Sequence, residues 1–179
     1  MATTFETNQY KSAPVFAAGF PGVIDRTFEF TVASVTADAS YAWADDDVIK
    51  IIKLPQGAKF LYARLEWDVL DDEGGGGSTT MALEIYDGTD AAIAKTIFSV
   101  AAGDVDATGI RDTRDVTYSP ADGVIGYVTD NENHYIRLHI TDAASGGDAA
   151  DDAKINVSIG YTQNVESNEY IRDFPTPNP

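Results

Sequence analysis

The chain has 179 residues, no cysteine and a formal charge of −17, with 29 acidic side chains against 12 basic ones. That length supports a single domain with a sizeable core, and the missing cysteines exclude a disulfide framework or a thiolate metal site. The acidity argues against a nucleic-acid partner, which needs clustered Lys and Arg to meet its phosphates. Its bland reading is solubility and mutual repulsion.

Apolar runs such as Val48 to Leu54 fall far short of the roughly 20 residues that span a bilayer. The start also lacks a basic segment followed by an apolar one, so a soluble protein with no membrane partner and no secretion signal is expected.

Residues 1–22 show neither helical nor strand periodicity. Phe5, Tyr10, Val15, Phe16 and Phe20 are scattered among small polar residues, and Pro14 and Pro21 interrupt any regular element. A free arm is normally polar, so aromatics imply a surface to lie on, either another protein or the chain's own domain. The alternation of Phe28, Phe30 and Val32 against Glu29, Thr31 and Ala33 predicts a strand over 27–35. A polar loop carrying Tyr41 and Trp43 follows at 38–47.

The stretch from Asp46 to Asp72 reads as the centre of the fold: two strands in a hairpin, joined by a tight turn at Pro55-Gln56-Gly57. In the second arm Leu61, Ala63, Leu65, Trp67 and Val69 fall on one face, with Phe60, Tyr62, Arg64, Glu66 and Asp68 on the other. The first arm is apolar on both faces except for Lys50 and Lys53. It therefore belongs inside a sheet, with the lysines escaping at a rim or a partner surface.

Four glycines, Gly74 to Gly77, follow in an acidic setting, without the Gly-Lys-Ser/Thr ending of a phosphate loop. Met81 to Tyr86 alternates as a strand and turns at Asp87-Gly88. The segment 91–102 fits a helical face or a short strand, and the β surroundings favour the strand. Strands are predicted over 124–129, 135–141 and 155–161, with a turn at 130–133 and an Asp/Gly/Ala loop at 142–152. The end, 163–179, is a second irregular arm with Tyr170, Ile171 and Phe174 among prolines. Seven to eight strands with turn signals predict an all-β chain: one β-sandwich or jelly-roll domain, 23–162, between extended arms at 1–22 and 163–179.

Catalytic patterns are poorly represented. The two histidines, His134 and His139, are five apart on one strand and leave opposite faces. Neither a Gly-x-Ser-x-Gly elbow nor a His-Glu-x-x-His pair occurs. Asp104, Asp106, Thr108, Gly109, Asp112 and Asp115 imitate the spacing of a calcium loop. However, position eight is Arg111, position twelve is Asp rather than Glu, and no helix flanks it, so an ordinary Asp/Gly loop is the preferred reading. Asn156-Val157-Ser158 matches a glycosylation acceptor but falls inside a predicted strand. The expectation is no enzyme, no cofactor and no metal.

The run Lys53-Leu54-Pro55-Gln56-Gly57-Ala58 before a long strand, with Leu83-Glu84-Ile85-Tyr86-Asp87-Gly88-Thr89-Asp90-Ala91 later, resembles head decoration (cement) and related structural proteins of tailed bacteriophages. The long aromatic N-terminal arm and the Asp71 to Gly77 insertion depart from that pattern. The resemblance implies a virion protein on the capsid exterior, stabilising the shell by bridging major capsid protein subunits, as a homo-oligomer (trimer or dimer). Buried aromatics dominate interface energetics, so Phe5, Tyr10, Phe16, Phe20, Tyr170 and Phe174, with Lys50 and Lys53, are the candidate partner-binding residues. The alternative is a carbohydrate- or receptor-binding module of a phage fibre or tail, with Tyr41 and Trp43 stacking on sugars. An acid-dependent hydrolase on the same scaffold is a third reading.

Overall fold

Strands with apolar residues at every second position bury one face, and here two sets of them meet across a common core. The computed structural model describes residues 2–7, 10, 23–36, 43–70, 79–105, 107–115, 123–143 and 153–163. These contain nine strands: β1 (Thr4–Glu6), β2 (Val23–Thr31), β3 (Val48–Lys53), β4 (Ala58–Trp67), β5 (Thr80–Asp87), β6 (Ala92–Val100), β7 (Gly109–Asp112), β8 (His134–Asp142) and β9 (Lys154–Gln163). One sheet has the order β1-β3-β8-β5-β6 and the other β2-β9-β4-β7. β1 runs parallel to β3, and the other named pairs are antiparallel. The all-β sandwich expected from the sequence is the observed fold.

The core lies between the sheets. Ile49, Ile51, Leu83, Ile85, Ile136 and Leu138 from the first sheet meet Phe28, Phe60, Leu65, Val157, Ile159 and Tyr161 from the second. Burial of the Tyr161 ring raises its phenol pKa.

The central pair of strands is not a hairpin. β3 lies between β1 and β8 in one sheet, while β4 lies between β9 and β7 in the other. Pro55 to Gly57 therefore carries the chain across the core as an arch. The reason is in β3 itself: a strand apolar on both faces needs a neighbour on each edge and cover on both sides, more than one hairpin arm supplies. The turn starts one position later than expected. Ala58 N–H donates to the Pro55 carbonyl at 3.1 Å, and Gly57 takes the positive φ of 75° that its place requires. Thr129 locks it from outside, its hydroxyl donating to the Pro55 carbonyl at 2.6 Å and accepting from Ala58 N–H at 2.9 Å.

Four further expectations are corrected. Leu61 is a bulge between the Phe60 and Tyr62 pairs, so Phe60 turns inward with Ala63, Leu65 and Trp67, and Leu61 is half-exposed. Val124 to Thr129 is not a strand. It makes one bridge, Val128 to Lys59, and hydrogen bonds beside the start of β4, because Gly123 and Gly126 sit at positive φ. β2 ends at Thr31 and Val32–Thr36 turns helical. There Thr31 Oγ1 accepts Ser34 N–H at 3.2 Å while Ser34 Oγ accepts Thr31 N–H at 3.0 Å, a reciprocal cap that stops the strand. Finally, β1 and β7 have no periodicity in the sequence and exist as edge strands on a neighbour's register.

Candidate functional site

The outer face of the five-stranded sheet gathers three of the side chains that sequence reasoning singled out, Tyr10, Lys50 and Lys53, beside charged and aromatic residues that it did not. Register places Glu6, Lys50, Arg137, Glu84 and Thr96 in one row across the five strands, and Lys53, Tyr135, Tyr86 and Ile93 in the next. Within these rows Arg137 Nε donates to Glu84 Oε2 at 2.7 Å, and both residues are buried. The guanidinium lies 3.9 Å from the Tyr86 ring centre, and Tyr86 packs 5.2 Å from Tyr135. Burial pushes the Tyr135 phenol up to about 12, against the opposing charge of Arg137.

Tyr10 completes the stack. Its ring meets Tyr135 edge-on at 5.4 Å and has the Lys50 and Lys53 ammonium groups at 5.0 and 5.1 Å. Lys50 also lies 3.5 Å from Glu6. The N-terminal segment is thus fastened to its own sheet: Thr7 donates its N–H to the Lys50 carbonyl at 3.0 Å and its hydroxyl to the Ile51 carbonyl at 2.7 Å. Phe5 packs against the core.

Of the candidate partner-binding residues, Tyr10, Lys50 and Lys53 are brought together and Phe5 is turned inward. Phe16, Phe20, Tyr170 and Phe174 lie outside the described residues, as does Tyr41. Trp43 is 7% exposed and part of the core, which removes it as a platform for sugar.

The second sheet has a largely polar outer face, on which Val23 and Ile110 are exposed apolar side chains. Arg114 clasps Asp112 through Nε at 3.0 Å and Nη2 at 2.9 Å, holding that carboxyl below its usual range. The same guanidinium stacks 4.3 Å from the Tyr62 ring. Burial, reinforced by Asp25, raises the Tyr62 phenol.

The calcium-like spacing does not fold as a calcium loop. Gly109, which would supply the sharp turn, pairs with Trp67 in β7, and Asp112 ends that strand. The carboxylate of Asp104 is held by Arg111 at 2.7 Å and that of Asp112 by Arg114. Asp106 lies outside the described residues, and Asp115 N–H bonds the Asp112 carbonyl at 3.0 Å.

A different group, Asp87, Asp130 and His134, offers three ligand atoms within 4.8 Å of one another. The Asn131 amide already serves it, its Nδ2 lying 3.3 Å from each Asp87 oxygen and 2.9 Å from Asp130 Oδ1. Burial raises the Asp87 pKa, but donors from Thr89 and Asn131 and the nearby His134 outweigh it, for a net lowering. Tyr127 Oη lies 2.9 Å from His134 Nε2, and burial raises that phenol too.

Sequence reasoning missed Asp47, Glu84, Arg137 and His139 as a set. Each depends on register between strands distant in sequence, and no local pattern encodes it.

The geometry defines an all-β sandwich with a docked N-terminal strand and a buried polar stack on one outer face. No family model matches the sequence, and no curated protein matches it. The fold has counterparts among solved structures. A chain in the capsid of Ralstonia phage GP4 superposes with a TM-score of 0.65 at 19% identity, over 91% of this chain and 99% of that one. A chain in the cyanophage Pam1 capsid asymmetric unit aligns with a TM-score of 0.49 at 18% identity, over 88% of this chain and 98% of that one.

Proposed function

We propose that this chain is a structural protein of a phage virion, a decoration or cement protein that binds the outer surface of the capsid. The carrying observation is the end-to-end match with a chain of comparable size in the Ralstonia phage GP4 capsid, at a TM-score of 0.65. The largely polar outer face of the second sheet suits a surface turned to solvent, and the charge of −17 keeps neighbouring particles apart. The domain 23–162, with β1 and Tyr10 docked on it, is the body, and the remainder of 1–22 together with 163–179 form the straps that reach the major capsid protein.

Cement acts by linkage. A protein that binds only the assembled shell stabilises it by its binding free energy, repeated over many copies, so no single contact has to be strong. Bridging adjacent capsid subunits as a trimer or dimer multiplies that effect.

Electron microscopy of purified particles tests the assignment. Stoichiometric density for this chain on the shell exterior, and shells that open at lower temperature without it, are the expected results. Particles that lack the chain, or carry it only at the tail, overturn the proposal.

A further inference from the structure

Strand direction gives the sandwich two unlike ends. β2, β4, β6 and β8 start at the end where β3, β5 and β9 finish, and the arch at Pro55 to Gly57 joins the two sheets there. The opposite end is acidic: Asp45, Asp46 and Asp47 precede β3, Asp68 follows β4, Asp104 follows β6 and Asp142 closes β8. In sequence, the segments that link strands there, 32–47, 68–79, 101–108 and 143–153, contain no Lys or Arg. The arch end is of mixed sign, with Lys53, Lys59 and Lys95 beside Asp87, Asp90, Asp130 and Glu132.

Exposed apolar side chains gather at the arch end too. Among the described residues five large ones are exposed: Val23, Ile93, Ile125 and Val128 lie here, and Ile110, opposite Glu66, lies toward the other end. Register sets Val23, Thr162, Lys59 and Val128 in one row across the second sheet. Ile125 adjoins that row, since Gly126 next to it donates its N–H to the Phe60 carbonyl at 2.8 Å. The result is an apolar margin with an exposed lysine in its middle, the kind of surface that another protein covers.

Resting on the decoration reading, we infer that the arch end is the face set down on the capsid shell, where it fits an apolar patch rimmed by carboxylates. Both proposed straps join the body at this end: the first leads into Val23, and the second follows Thr162, the register partner of Val23. Straps that lie on the shell therefore hold this end against it, at a high effective concentration. Charge selects the same end. Lys59 within the apolar row offers a cation to a carboxylate of the partner, which fixes register and orientation on the shell. Turned the other way, the domain would press Asp45, Asp46, Asp68 and Asp142 onto its partner, and burying carboxylates without a cation is costly. With the arch end down, the acidic end faces solvent.

Co-sedimentation of the full chain with shells stripped of it tests this. Ile125→Asp combined with Val128→Asp should lower affinity about tenfold or more, and Lys59→Glu about threefold. Ile110→Asp, as exposed but toward the other end, should bind as wild type does. Urea unfolding and the sedimentation coefficient of each free variant, read alongside, should match wild type. Wild-type affinity in the double variant, or an equal loss in Ile110→Asp, overturns the inference. A changed oligomeric state with wild-type shell affinity also overturns it, and assigns the row to a contact between copies of the chain. Should the double variant unfold early, Lys59→Glu decides alone, since its side chain is exposed. Wild-type protein that stays behind when the shells sediment would overturn the decoration reading itself, an outcome distinct from a misassigned face.

Discussion

The buried carboxylate of Asp47 accepts the backbone N–H of Thr3 at 2.7 Å through Oδ1 and that of Ala44 at 2.9 Å through Oδ2. One side chain therefore shapes the turn before β3 and sets the register in which β1 joins it, with Val48 N–H donating to the Thr3 carbonyl at 2.9 Å. Asp47→Ala strands both N–H donors at a partly buried site, a loss of about 1–3 kcal/mol. Amide exchange should quicken at Thr3, Thr7 and Val48, while β4 and β9 stay protected. Uniform loss across both sheets would show that Asp47 supports the whole domain rather than the strand it touches.

Two glycines hold aromatic rings against the second sheet, and they should differ in tolerance. A Cβ on Gly109 would lie 2.1 Å from Trp67 Cζ2, and one on Gly160 would lie 2.1 Å from Tyr62 Cε1. Trp67 is buried, with Nε1 donating to the Asp104 carbonyl at 3.2 Å, so its ring has nowhere to go. Tyr62 is half-exposed and can swing outward. Gly109→Ala should cost about 2–3 kcal/mol and Gly160→Ala about 1 kcal/mol, read from urea unfolding. Gly160→Ala should also separate Tyr62 from Arg114.

Most of the strands could be read from the sequence because their signal is local. Ile136, Leu138 and Ile140 alternate, as do Ile155, Val157 and Ile159, and each set is buried as a face. What could not be read is relational. Three residues, Thr4 to Glu6, carry no periodicity and become a strand only because the β3 edge offers them partners. The arch between β3 and β4 looks like a hairpin locally, since the same turn residues serve both, and only the competition for β8 and β9 as neighbours separates them. Alternation alone puts Phe60 on the wrong face, because a one-residue bulge reverses it without leaving a mark in composition. The sequence offers Tyr10, Lys50 and Lys53 for partner binding one by one. That they share a contact with one another is a property of the register.

The clasp of Arg114 on Asp112 gives a pH prediction with a definite sign. The hydrogen bond from Arg114 lowers the Asp112 pKa in the folded state, so the pair adds stability above the unfolded value of about 3.9 and loses it as the pH falls through the lower folded value. Arg114 is 55% exposed at its side chain, which limits the gain to about 0.5 kcal/mol. Arg114→Leu should therefore trail wild type at pH 7 by that amount, and the gap should close in acid as the pH falls through the lowered folded value. A gap of constant size at every pH would assign the loss to packing of Arg114 on Tyr62 instead.

Under the proposed role, binding to the shell and folding of the domain should separate by residue. Phe5 packs against the core and Tyr10 on Tyr135, so these two aromatics already have intramolecular partners. Phe5→Ala should lower the domain's stability by about 1–2 kcal/mol, with little change in affinity once the protein is folded. If the straps hold the capsid, the anchors are instead Phe16, Phe20, Tyr170 and Phe174. Alanine at Phe16 and Phe20 together should weaken occupancy on particles by about 2 kcal/mol or more, some thirtyfold, while urea unfolding of the domain stays unchanged. Co-sedimentation of each variant with shells stripped of the protein gives both numbers from one preparation. Full occupancy by the double variant would move the attachment from the straps to the sandwich itself, and the exposed Val23, Ile125 and Val128 would be the first side chains to substitute next.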